Sequence, residues 1–168
     1  MRILLASAAV CFLMVCVSNV MEAQDKPRAG LVGLSASFQS AQADILLPIW
    51  LSDRFSLAPA VGLTWAEDNG SDIRVGIAPR FFLTSTKVAP YIGGRVGVLI
   101  ASPSNGDATT DWIGGLAFGG EYFIDDHFSV GVESQLNVTF SDTKSTRFGN
   151  PGKTNVNTGA AVFATVYF

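Results

Sequence analysis

The chain has 168 residues, 48% of them hydrophobic and 15% charged, with 17 glycines, 12 phenylalanines and a formal net charge of −3. That is enough for one domain, too apolar for a disordered protein and too weakly charged to suggest nucleic-acid binding. Mean hydropathy is +0.34, yet only one apolar run approaches the ~20 residues that a membrane helix needs, so the remainder must be apolar in another pattern.

That run comes first in the chain. It opens on Arg2, continues from Ile3 to Val20 with only Ser and Asn interrupting, and ends at Met21-Glu22-Ala23 before the polar Gln24-Asp25-Lys26. It reads as a secretory signal peptide over 1–23, cut after Ala23, with an uncleaved anchor as the alternative. Both cysteines, Cys11 and Cys16, fall inside it. A mature chain over 24–168 would therefore hold no disulfide, no thiol catalyst and no Cys-ligated zinc.

After Ala23 the apolar residues alternate with period two, and turn signals separate the runs. The pattern predicts eight strands, near 30–39, 42–51, 55–66, 72–83, 88–100, 111–123, 128–140 and 155–168. Most reach the ~9–11 residues that a tilted membrane strand requires. Short turns at Ser52-Asp53-Arg54, 84–87 and 124–127 alternate with connections at Ser40-Ala41, 67–71, 101–110 and 141–154, most of them longer and polar. Outer-membrane barrels have this asymmetry, with tight periplasmic turns and longer outer loops. The fold expected is thus all-β, an eight-stranded antiparallel up-and-down transmembrane barrel.

Splitting each strand by parity separates two faces. One carries residues such as Leu34, Ile45, Val61, Val75, Val96, Leu116, Val132 and Val162, and no charge. The other carries Ser, Gly and Ala together with Asp44, Arg74, Arg80, Arg95, Glu121 and Glu133. Asp72 and Asp111 at strand starts share this polar parity, as do the apolar Leu46, Trp50, Leu99, Ile113, Phe123 and Phe163. A soluble barrel would put the apolar set inside. Here the apolar set faces lipid, because an Arg on that face at mid-membrane costs about 2–4 kcal/mol.

An eight-stranded barrel is just wide enough for its own side chains. The six charges are accordingly expected to pair in the lumen as an ion-pair network that plugs it, since unpaired charges there would be costly to desolvate. A polar ion path is the functional alternative. Aromatics near the strand ends form two expected girdles: Phe38, Trp65, Trp112 and Phe140 toward the long loops, and Phe55, Phe81, Tyr122 and Phe128 toward the short turns. Pro48, Pro59, Pro79 and Pro90 fall inside predicted strands and lack a ladder donor, so bulges or frayed pairing are expected at the short-turn rim.

The segments Val88-Ala89-Pro90-Tyr91-Ile92-Gly93-Gly94-Arg95-Val96-Gly97, 120–133 and the terminal 159–168 resemble the small eight-stranded outer-membrane barrels of the OmpA and OmpX type, over about 30–168. The resemblance implies a monomeric, filled barrel in the outer membrane of a Gram-negative bacterium, with a role in envelope integrity, adhesion or host contact. It also implies that the last strand, ending in Tyr167 and Phe168, is read by the barrel-insertion machinery. With no peptidoglycan-binding domain after Phe168, the wall-anchoring role of longer relatives is not expected.

Some barrels of this size modify lipid A, using His, Ser and an acid at the outer rim. The single histidine, His127, falls instead in the predicted short turn Asp125-Asp126-His127, so no enzymatic activity, cofactor or metal site is expected. Asn69-Gly70 lacks the spacing of a calcium loop and reads as a hairpin turn. Lys144, Arg147 and Lys153 in the last loop could meet lipopolysaccharide phosphates. The expected role is structural or interaction-mediating, against a narrow pore and a lipid A-modifying enzyme.

Overall fold

A computed structural model describes residues 29–40 and 42–168; the expected leader at 1–23 and Ala41 of the Ser40-Ala41 turn lie outside the described residues. Its strands are β1 (Gly33–Gln39), β2 (Gln42–Leu46), β3 (Ile49–Ser52), β4 (Phe55–Ala66), β5 (Gly70–Phe82), β6 (Val88–Ser102), β7 (Thr109–Phe123), β8 (Phe128–Phe140) and β9 (Thr154–Tyr167). Each pairs antiparallel with its neighbour in sequence from β4 to β9, and β9 pairs back onto β1.

Nine segments make eight staves, because β2 and β3 are two halves of one. β2 lies between β1 and β4, with Asp44 opposite both Ser37 and Gly62. β3 continues along β4, where Ile49 faces Leu57, and reaches the first stave through a Val32–Ile49 bridge. The break falls at Leu47-Pro48, where proline has no N–H to donate. The expected single strand over 42–51 is corrected accordingly. Its two neighbours still hold the break: Gly33 donates to the Pro48 carbonyl at 2.8 Å and Leu47 to the Pro59 carbonyl at 2.9 Å.

The other prolines disturb the ladder less than expected. Pro59 sits opposite Ile77 and Pro90 opposite Gly120 within continuous pairings. At Pro79 the β5–β6 ladder skips two positions, between Ile77↔Val96 and Arg80↔Gly93, without changing register. A register shift between Trp50 and Ser52 is the one bulge recorded in the β3–β4 ladder. At the far end of β4, Asn69 donates to the Ala66 carbonyl and Gly70 adopts φ +90°, a conformation that glycine takes without strain.

Alternation along these staves sorts the side chains. Val96, Leu116 and Val132 at mid-stave each expose 55% of their surface outward, while Phe82, Asp111 and Ser129 inside expose none. The barrel is therefore apolar outside and polar or aromatic inside, which inverts the plan of a soluble barrel. Glycines on the inner face make room for large neighbours: a Cβ at Gly131 would run into the Phe163 ring.

Candidate functional site

The lumen gathers buried charged and aromatic side chains, and it is built in layers. At the short-turn end, Trp50, Phe82, Phe123 and Tyr167 pack against one another. Trp50 stacks on Phe82 with ring centroids 4.6 Å apart, and lies 6.2 Å from Phe123 and 6.4 Å from Tyr167. Tyr91 and Phe163 join the same buried cluster from above. Glu121 is fully enclosed here, accepting from the Tyr167 hydroxyl at 2.7 Å and from the Ser129 hydroxyl.

Above this floor Arg80 lies between the Phe163 and Tyr91 rings, its guanidinium carbon 4.4 and 4.9 Å from their centroids. Such contacts favour a cation over an aromatic face. Arg80 donates to Glu133 Oε2 at 3.1 Å, the Tyr91 hydroxyl donates to the same oxygen at 2.7 Å, and Gln135 Nε2 donates to Oε1 at 2.7 Å. Gln135 Oε1 in turn accepts from Arg95 and from Asn137. Higher still, Arg74 Nε donates to Asp44 Oδ1 at 2.9 Å, with Thr64 and the Ala43 carbonyl as further acceptors.

The long-loop end is built differently, around a side chain that is not on a strand. Arg147, in the loop between β8 and β9, turns inward and donates from Nη1 to Asp72 Oδ2 and from Nε to Asp111 Oδ2 at 3.2 Å. The same loop supplies the Ser145 hydroxyl to Asp111 Oδ2 and the Asp142 amide to Asp111 Oδ1, each at 2.8 Å.

Of the six lumen charges read from sequence, the structure brings Arg74 to Asp44 and Arg80 to Glu133 as ion pairs. Arg95 meets the side-chain carbonyls of Gln135 and Gln39 instead of a carboxylate, and Glu121 meets two hydroxyls. Among the girdle residues, Phe38, Trp65, Trp112, Phe140, Phe81, Tyr122 and Phe128 are exposed on the outer wall and Phe55 is half-buried. Lys87 lies over the Tyr122 ring at 5.3 Å. Phe168 is exposed, whereas Tyr167 points into the floor. Lys144 and Lys153 are exposed, Lys144 paired with Asp107, but Arg147 is drawn into the mouth.

Sequence reasoning missed Phe82 as a lumen residue and Arg147 as its lid. Phe82 shares the parity of Arg80, which would have found it; for Arg147 the signal was two carboxylates at strand starts, Asp72 and Asp111, on lumen parity without a strand-borne cation. His127 lies exposed in its turn, where Asp125 Oδ1 accepts from the His127 and Phe128 amides at 2.8 Å. Among the described residues no three His, Cys, Asp or Glu side chains converge as a metal site. Between the Arg74 and Arg95 layers a cavity of about 50 Å³ remains, space for a very few waters.

The fold, though not the side-chain arrangement, can be compared with known barrels. The chain is similar to the N-terminal β-barrel domain of Pseudomonas aeruginosa OprF, with a TM-score of 0.60 and 11% identity, covering 85% of this chain and 100% of that one. It has the fold of a small outer-membrane barrel. Neisserial surface protein A is similar as well, with a TM-score of 0.56, 16% identity and coverage of 82% and 94%. No protein-family model and no curated protein matches the sequence, and at these identities the likeness is one of fold.

Proposed function

We propose that this protein is an integral outer-membrane barrel with a filled lumen and a structural or surface-interaction role, and that it is not an enzyme. The observation that carries this reading is the pairing of an uncharged, apolar outer wall with ion pairs inside, Arg74–Asp44 and Arg80–Glu133. Only a lipid surround makes both faces favourable at once, because an outward charge at mid-membrane costs about 2–4 kcal/mol. The aromatic residues at both ends of the outer wall match the two interfaces of a bilayer. Its partners in this reading are membrane lipid, lipopolysaccharide at the exposed Lys144 and Lys153, and the insertion machinery at the terminal strand.

The floor and the Arg147 lid speak against an open pore. The deciding test is expression of the full chain in a Gram-negative host, followed by electrophoresis of the outer-membrane fraction with and without boiling. A heat-dependent shift in mobility in that fraction is expected. A soluble periplasmic product without the shift would overturn the assignment of faces.

A further inference from the structure

The barrel wall is not of even height. β9 pairs with β8 from Val166 up to Thr154, which lies opposite Phe140, but with β1 only as far as Val162 opposite Phe38. On the other flank β2 pairs with β4 only as far as Asp44 opposite Gly62, while β4 runs on to Ala66. Among the described residues no strand fills the wedge between the upper parts of β9 and β4. Ser40, just past the end of β1, adopts φ +53° and leaves the ladder, and the Ala43 carbonyl accepts from Arg74 Nη2 at 3.3 Å. The gap begins at the upper aromatic girdle, at Phe140 and Trp65, and descends to Ala160, which lies opposite Ser134 at the centre of β8. It therefore opens onto lipid.

Exposure marks the same gap. Trp65, Val156 and Leu63 on its outer rim are 69%, 66% and 65% exposed, against 55% for Val96, Leu116 and Val132. Thr64 and Asn157 have lumen parity yet are exposed, whereas Asn137, opposite Asn157, is buried. The upper lumen is thus reached from the side.

The backbone sets what can fill this gap. In an antiparallel ladder alternate residues turn both backbone groups to the same neighbour. Phe168 and Val32 exchange such a pair of bonds, while Tyr167 donates to the other side, at His127. The same alternation turns the N–H and C=O of Ala160, Thr158 and Val156 into the gap. Hydrocarbon cannot satisfy them. Beside them a shallow groove crosses the outer wall, lined by Phe118, Ser134, Leu136, Thr158 and Ala160. It suits an acyl chain and ends at an edge that offers donors and acceptors in turn. A linkage with both an N–H or O–H and a carbonyl matches that edge, whereas an ester supplies acceptors only.

Resting on the outer-membrane reading above, we propose that this gap is a lateral docking site for lipopolysaccharide of the surrounding leaflet, recognised by the amide- and hydroxyl-bearing root of one acyl chain. The chain lies in the groove beside Ser134 and Ala160, and its root bonds the open edge of β9. The contact is made within the wall and uses no phosphate, which sets it apart from the loop cations Lys144 and Lys153.

The test titrates the full barrel, freed of lipid and folded in detergent micelles, with purified lipopolysaccharide or with phosphatidylglycerol, and reads retained lipid by native mass spectrometry. Retention of lipopolysaccharide over phosphatidylglycerol is expected. Ala160→Trp, which fills the groove from outside, should weaken retention by about tenfold or more, whereas Ile77→Trp on the opposite wall and Lys144→Ser combined with Lys153→Ser should keep it. Ser134→Trp, in the same groove, takes its place should Ala160→Trp fail to fold. Equal retention of both lipids, loss with the lysine pair alone, or retention unaffected by either groove variant would overturn the site. So would a photoreactive label on Thr158→Cys that cross-links in whole membranes to a polypeptide instead of to lipopolysaccharide. The heat-dependent mobility of the same preparation separates two failures: a shifted barrel that retains no lipid refutes the site alone, and a barrel without the shift refutes the reading on which it rests.

Discussion

The two ends of the lumen are filled by different means. The floor is made of rings carried on the staves themselves: Trp50 from β3, Phe82 from β5, Tyr91 from β6, Phe123 from β7, and Phe163 and Tyr167 from β9. Five strands must be in register before it exists. At the mouth the strands supply only acceptors, Asp72 and Asp111, and every side-chain or amide donor to the Asp111 carboxylate comes from one loop, at Asp142, Ser145 and Arg147. The floor is thus inseparable from barrel closure, while the mouth depends on how a single loop is folded.

The largest effect should therefore come from the floor. Trp50→Ala removes a ring that touches Phe82, Phe123 and Tyr167, and large-to-small changes of this kind cost about 3–5 kcal/mol. Urea unfolding of the barrel in lipid vesicles, read by the heat-dependent mobility shift, should show a loss of that size. A loss under about 1 kcal/mol would mean that the floor collapses around the gap and is less tightly built than its ring contacts suggest.

The difference between the ends also explains what could be read in advance. The outer wall was legible because lipid imposes one rule on every outward position, so Val96, Leu116 and Val132 declare themselves by alternation alone. The break at Pro48 was legible in kind, since a missing N–H is a local fact, though Pro59 and Pro90 show that an absent donor on a stave costs little pairing. The floor was only half-legible. Trp50, Phe123 and Phe163 stood out as apolar residues on polar parity, but nothing in one strand says that they meet. Which carboxylate each Arg finds depends on register across strands, and so the Arg95–Gln135 contact was beyond the sequence. Arg147 was read as a surface cation because loop residues carry no periodicity; its inward turn is set by the fold of 141–153.

A smaller effect is expected at the mouth. Arg147→Ala removes the donors to Asp72 Oδ2 and one of those to Asp111, which keeps Ser145 and the Asp142 amide. Hydrogen bonds to charged groups contribute about 1.5–3 kcal/mol each at most, and here part of that is recovered by solvent entering the mouth. Global stability should fall modestly, while tryptic cleavage after Lys144 and Lys153 in intact barrels should become much faster. Conductance in planar bilayers should stay at baseline because the aromatic floor remains shut. A conducting Arg147→Ala barrel would show that the loop is the only seal, and the narrow-pore reading would replace the filled one.

The smallest effect separates the lid from its surroundings. Lys144 sits three residues from Arg147 and also makes an ion pair, 2.6 Å from Asp107, but the two side chains are 64% and 69% exposed against 15% for Arg147. Exposed pairs contribute about 0–1 kcal/mol and weaken further with salt. Lys144→Ser should leave both the urea midpoint and the rate of cleavage after Lys153 unchanged within error at 150 mM salt. If it loosens the loop as much as Arg147→Ala does, the loop is held down by its outer contacts, and Asp111 is buried as a consequence of closure instead of its cause.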